Sequence, residues 1–177
     1  MDVDLAALVV DVPDFPRPGV TFKDITPLLG SPTGLAAAVD GLVRAAPSGI
    51  DVVVAMEARG FLFGVPVALA LGVGFVPVRK PGKLPRSSVS VTYDLEYATE
   101  TLVIHADALE RGARVLVVDD VLATGGTVAA TADLVRRLGG TPVHVAVVLE
   151  LEFLHGRALL AEHGLHQVSA LVRSDAG

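Results

Sequence analysis

The sequence predicts an α/β domain with a mostly parallel central sheet flanked by helices, formed by residues 1–177 as one unit. Three observations point there. Short Val-, Leu- and Ala-rich runs alternate along the chain with Ala-rich helical stretches, the order expected of βα units. The composition is 51% hydrophobic and 19% charged, which places the chain among globular rather than disordered sequences. Its 177 residues suffice for one buried core, and neither a repeat nor a linker divides them.

Each element follows in order. Asp2 to Val10 reads as a short amphipathic helix, ended by the Pro-rich stretch Pro13 to Gly19. Thr33 is the expected N-cap of a helix through Ala46, ahead of the breaker Pro47-Ser48-Gly49. Asp51 to Ala55 is a short apolar strand, and Phe61 to Leu71 a helix in which Pro66 must sit near the first turn or cause a kink. Gly74 to Val78 is a second strand. Arg79 to Ser90, basic and rich in Pro, Gly and Ser, reads as a surface loop. Tyr93 to Tyr97 and Thr101 to His105 alternate as a hairpin. Arg114 to Val118 is the clearest buried strand and Thr127 to Leu138 the clearest helix, closed by Gly139-Gly140. Val143 to Leu149 is a strand, Phe153 to Glu162 a helix, and Val168 to Val172 a final strand.

Composition also excludes function classes. With no cysteine there is no disulfide framework, thiol nucleophile or Cys-based zinc site, and a reducing cytoplasm is the simplest home. Asp2 and Asp4 stand where a secretory leader carries basic residues, so no leader is expected. No apolar run approaches the ~20 residues of a membrane-spanning helix. A net charge of −6 argues against nucleic acid as the main partner, so an anionic substrate would need a local cationic site. His105, His144, His155, His163 and His166 show no metal-ligand spacing, and no Ser-His-Asp arrangement is evident.

The run Val115 to Thr127 carries the chemistry. A buried strand ends in Asp119-Asp120, and a Gly-containing turn then leads into a helix. Carboxyl ends of parallel strands face the crevice where α/β proteins bind ligands. Ala123, Thr124, Gly125, Gly126 and Thr127 can aim backbone N–H groups at an anion, the helix dipole adds to the attraction, and glycine permits close approach. A phosphate monoester fits such a turn. The two carboxylates would repel it and instead accept hydrogen bonds from sugar hydroxyls. Gly-Gly-Thr alone would be an ordinary strand-to-helix turn capped by Thr127; the full run is what favours a ligand. No Lys follows the glycines, which disfavours nucleoside triphosphate chemistry.

That run resembles the phosphoribosyl pyrophosphate signature of type I phosphoribosyltransferases. The resemblance implies their fold, with a small N-terminal hood from about residues 1–30 and a flexible catalytic loop. By position it gives Asp119 and Asp120 the ribose hydroxyls, and Ala123 to Thr127 the 5-phosphate.

Three further segments narrow the resemblance. Phe15 to Leu29 is stiffened by prolines and carries Phe22, which on physical grounds alone reads first as a side chain packed into the core. The segment also resembles the start of adenine phosphoribosyltransferases, which implies Phe22 stacked on adenine and the main chain at Thr21 and Lys23 reading its edge. Leu151 matches the residue closing the opposite face. Glu57 to Gly64 matches the loop whose arginine, here Arg59, contacts pyrophosphate; at a helix start that cation is disfavoured unless an anion sits nearby. Arg79, Lys80 and Lys83 form a basic cluster that reads equally as a solvated turn or an anion site. The resemblance assigns them to pyrophosphate, with Lys83 on a mobile lid. Tyr93 to Ala98 resembles the segment whose glutamate reaches the reacting base, making Glu96 the candidate catalytic carboxylate; Ala98 stands where the family usually has glycine.

The resemblance spans roughly Val12 to Leu151. It implies transfer of 5-phosphoribosyl to adenine, Mg²⁺ bound mainly through the substrate with no protein ligand assigned, and a homodimer. A 6-oxopurine (xanthine-type) transferase and a non-catalytic phosphoribosyl pyrophosphate sensor are the alternatives.

Overall fold

The computed structural model describes residues 3–95 and 98–175. Five parallel strands form the central sheet: β3 (Val52–Met56), β4 (Gly74–Val78), β7 (Arg114–Leu122), β8 (Thr141–Leu151) and β9 (Val168–Ser174). Their order is β4-β3-β7-β8-β9. The chain leaves β3 in one direction to reach β4 and resumes on its other side with β7. That reversal opens a crevice at the carboxyl ends of β3 and β7.

Alternation along the strands builds two cores. Val52, Val54, Met56, Val115 and Val117 pack on one face with α4 (Gly126–Arg137). Val53, Ala55, Leu116 and Val118 pack on the other with α1 (Thr26–Gly30), α2 (Pro32–Ala45) and α3 (Gly60–Leu71). Burial on both faces is why these strands read as continuous apolar runs.

Two antiparallel pairs stand outside this sheet. β1 (Val10–Val12) and β2 (Phe22–Asp24) form the hood; β5 (Ser88–Leu95) and β6 (Ala98–His105) form a longer hairpin than expected. The basic loop therefore ends at Ser87, not Ser90. Tyr97 lies outside the described residues.

Several boundaries differ from expectation. The first helix is only a 3₁₀ turn over Ala6–Leu8, because Val10–Val12 is drawn into pairing with β2. Ser31, not Thr33, caps α2: its hydroxyl accepts from the Gly34 N–H at 3.1 Å, with Pro32 at the first helical position. Pro66 lies inside α3, beyond the first turn. β7 continues past Val118 through both aspartates, since pairing with β8 persists at Asp119↔Val147 after pairing with β3 has stopped at Ala55↔Val118. The helix expected over Phe153–Glu162 is split into a 3₁₀ turn (Glu152–Leu154) and α5 (Gly156–Glu162) by His155, whose φ is +54°.

Candidate active site

The crevice at the strand reversal gathers most of the residues singled out in the sequence. A pocket of about 410 Å³ is lined by Thr21, Phe22 and Lys23 of the hood, by Arg59 and Ala123, and by Leu151. Gly19, Val20, Val121, Phe153 and Leu154 complete it. A small adjoining hollow of about 60 Å³ shares Val121 and Ala123 and continues along Asp119, Thr124, Gly125 and Thr127. The larger space is mostly apolar and suits a flat ring; the smaller is edged by main chain and hydroxyls.

The hood is fixed by its own contacts. Asp11 and Lys23 face each other across β1 and β2, and the buried Lys23 ammonium lies 2.9–3.0 Å from the Asp11 carboxylate. Phe22 meets Phe15 edge-on with centroids 5.3 Å apart.

The phosphate loop turns through Gly125, at φ +89°, into α4. Among the described residues no side chain caps that helix, so its first N–H groups are available to an anion. Gly126 opens the helix and Thr127 follows it.

Asp119 and Asp120 are both buried at the crevice. The Asp120 N–H donates to Asp119 Oδ1 at 2.9 Å. Burial, and secondly the neighbouring Asp120 charge, push the Asp119 carboxyl well above the ordinary range, while Arg59 opposes them. Gly60 leaves room for this carboxylate, since a Cβ on it would come 2.8 Å from Asp119 Oδ1 and the carboxylate would have to shift. Arg59 caps no helix with its side chain. Its Nε lies 2.7 Å from Asp120 Oδ2, close enough for an ion pair but not aligned for a hydrogen bond, and its guanidinium stands 5.6 Å from the Phe22 ring centroid.

Arg79, Lys80 and Lys83 do not line either hollow. They gather instead around Glu57, a residue sequence reasoning left without a role. Arg79 Nε donates to Glu57 Oε2 at 2.7 Å and the Lys80 N–H to Oε1 at 3.0 Å. Burial pushes the Glu57 carboxyl up, but the Lys80 N–H, the Arg79 guanidinium and the Lys83 charge together hold it below its ordinary value. Lys80 Nζ reaches Glu100 on the hairpin at 3.4 Å.

Tyr93 was also missed as an individual contact. Its hydroxyl lies 3.1 Å from Thr127 Oγ1 and donates to Glu100 Oε2 at 3.1 Å, fastening the hairpin to the phosphate loop. Glu96 lies outside the described residues. Among the described residues, no group of three or more His, Asp and Glu side chains is arranged to hold a metal ion, and no helix is long and apolar enough to cross a membrane.

This arrangement, a loop at a helix N-terminus beside paired aspartates and an apolar slot, has the donors and shape to suit a phosphorylated sugar next to a planar ring. The phosphoribosyl transferase domain model matches residues 26–158. A protein named adenine phosphoribosyltransferase from Cutibacterium acnes is 58% identical over 168 residues, covering 95% of each chain. The crystal structure of adenine phosphoribosyltransferase from Thermoanaerobacter pseudethanolicus superposes with a TM-score of 0.92 at 46% identity, covering 97% of this chain and 98% of that one. The Saccharomyces cerevisiae enzyme, solved with adenine and an imino-altritol bisphosphate, gives 0.87 at 40% identity over 95% and 96% of the two chains. The chain belongs to the phosphoribosyl transferase family and, within it, to the adenine phosphoribosyltransferases.

Proposed function

We propose that this enzyme, a pentosyltransferase of purine salvage, transfers 5-phosphoribosyl from phosphoribosyl pyrophosphate to N9 of adenine, giving AMP and pyrophosphate. The observation that carries the reading is that the two hollows share Val121 and Ala123, an arrangement that suits a ring in the apolar slot beside a sugar phosphate on the loop.

Phe22 and Leu151 would face adenine, with the main chain at Thr21 and Lys23 reading its edge. Asp119 and Asp120 would accept from the ribose hydroxyls, and Ala123 to Thr127 would hold the 5-phosphate. Arg59, Arg79, Lys80 and Lys83 would meet the pyrophosphate. In the reaction the C1–O bond breaks and its electrons leave with pyrophosphate, through an oxocarbenium-like transition state, while N9 bonds to C1 and loses its proton. Cations near the leaving group stabilise the charge that develops there. Glu96 would interact with N7 or manage the N9 proton.

The donor set does not favour a metal site made by the protein alone, because Asp120 is engaged by Arg59. Mg²⁺ would therefore enter mainly on pyrophosphate oxygens and water, helping to neutralise the leaving group. A cytoplasmic location fits the absence of cysteine. A homodimer fits the exposed Leu62, Val65 and Leu69, which follow one another at helical spacing on α3.

The test is incubation of the protein with phosphoribosyl pyrophosphate, Mg²⁺ and each purine base in turn. AMP and pyrophosphate should form from adenine alone. Nucleotide from xanthine, hypoxanthine or guanine would support the 6-oxopurine alternative, and donor binding with no nucleotide would support a sensor.

A further inference from the structure

A half-buried ion pair lies outside the lining of both hollows. Glu150, near the end of β8, is only 4% exposed. Arg157 grips both of its oxygens, Nε donating to Oε1 at 2.9 Å and Nη2 to Oε2. The remaining guanidinium nitrogen, Nη1, donates to the Val168 carbonyl at 2.8 Å. The fork is thereby tied to β8 and β9 together, in the bidentate geometry that fixes orientation as well as distance.

The chain between these two residues has work at each end. Leu151, Phe153 and Leu154 form one wall of the apolar pocket. His155 adopts φ +54°, an unfavourable conformation for a residue with a side chain, so its surroundings must hold it. Gly156 then presses its backbone on the phosphate loop. A Cβ at Gly156 would stand 2.1 Å from the Ala123 carbonyl oxygen, and one at Gly125 would stand 2.7 Å from the Gly156 carbonyl oxygen. The two main chains are in direct contact, and no side chain at either position would fit between them.

We propose that Glu150 and Arg157 are positioning residues that hold Leu151 to Gly156 as one strap, shared by the base pocket and the phosphate loop. The strap adds a second link between two recognition surfaces that already share Val121 and Ala123. Loosening it displaces the pocket wall and the loop's support together. The expected signature is a parallel loss of affinity for both substrates, where damage to either hollow alone would affect one. The assignment of the hollows to adenine and to the sugar phosphate rests on the function proposed above.

The test uses the full-length enzyme with Arg157→Ala, Arg157→Lys and Glu150→Gln. KM for adenine and KM for phosphoribosyl pyrophosphate should rise together, by about tenfold in Arg157→Ala, with kcat within about twofold of the parent. The Arg157 side chain is 38% exposed, so a small cation can reach its place. Millimolar methylguanidinium should restore both KM values in Arg157→Ala and leave the parent unchanged. A purely structural role would lower the melting temperature without moving KM, and that result overturns the proposal. So does a rise in only one KM, or a failure of rescue. If Arg157→Ala does not fold, the nearly isosteric Glu150→Gln carries the same test through the paired rise in KM. Loss of the parent enzyme's own activity on adenine would instead count against the function, which keeps the two failures distinct.

Discussion

Arg59 and Asp120 are joined at 2.7 Å, and the same guanidinium stands 5.6 Å from the centre of the Phe22 ring. One cation thus occupies both the carboxylate proposed for ribose and the ring proposed for adenine. A pyrophosphate bound nearby would compete with Asp120 for that guanidinium. Arg59→Ala should therefore lower kcat/KM for phosphoribosyl pyrophosphate by about ten- to a hundredfold, the usual range for losing a charged hydrogen bond. Arg59→Lys should recover only part, because a point charge cannot reproduce the fork. Steady-state kinetics with the donor varied give the answer; full recovery by lysine would count against the argument.

Asp119 sets a dependence on pH. Its folded-state pKa is raised above the ordinary 3.8 by burial first and the Asp120 charge second. The native state therefore prefers the protonated form. The stability this confers is complete below the unfolded value and is lost as pH rises through the folded one. Asp119→Asn removes the ionisable group, so its melting temperature should exceed the parent's at pH 8 and draw level toward pH 4. It should also weaken binding of the donor. A gap in melting temperature that stays constant across that range would contradict this account.

Tyr93 holds Thr127 across 34 residues of sequence separation. Burial raises its pKa first, and the Glu100 and Asp119 charges add to the effect against the hydrogen bond with Thr127. The hydroxyl is therefore neutral throughout the working range and acts only as a hydrogen-bonding group. Tyr93→Phe should cost about 0.5–1.5 kcal/mol of stability. Amide exchange in Ser88–Leu95 and Ala98–His105 should speed up, with donor affinity kept because the Thr127 hydroxyl is released. Hydrogen-exchange mass spectrometry measures the first, and calorimetry the second.

Glu96→Ala should lower turnover by about a hundredfold or more, the scale of general acid–base assistance, with far less change in donor affinity. Equal losses in both quantities would remove Glu96 from the catalytic role.

The parallel order of strands and helices was legible because burial on both faces leaves apolar runs that few other contexts produce. Boundaries were less so. Asp119 and Asp120 looked like the end of a strand, yet β7 carries them within continued pairing to β8, where the parting of β3 makes room for carboxylates. Ser31-Pro32 is a good cap signature that Thr33 obscured. Phe153 to Glu162 has helical composition throughout, and only the His155 backbone divides it.

The candidate site followed the same division. The phosphate loop announced itself through glycines, hydroxyls and paired acids, whereas Val121, Phe153 and Leu154 are apolar and carry no chemical mark. Alternation along β7 offers a signal for Val121, two residues beyond Asp119. Glu57 opens the Glu57 to Gly64 motif, but its grip on Arg79 and Lys80 depends on strands β3 and β4 lying side by side. The Glu150–Arg157 pair likewise becomes visible only once the turn at His155 brings the two side chains together.

The hood stands as its own two-stranded sheet, apart from the five strands that carry the paired aspartates. Substitutions at Thr21, Phe22 and their neighbours can therefore reshape one wall of the apolar pocket without altering the strands that carry the paired aspartates. A lineage that varied them could diversify its choice of acceptor and keep a common donor, with little disturbance to the interior that keeps the molecule folded.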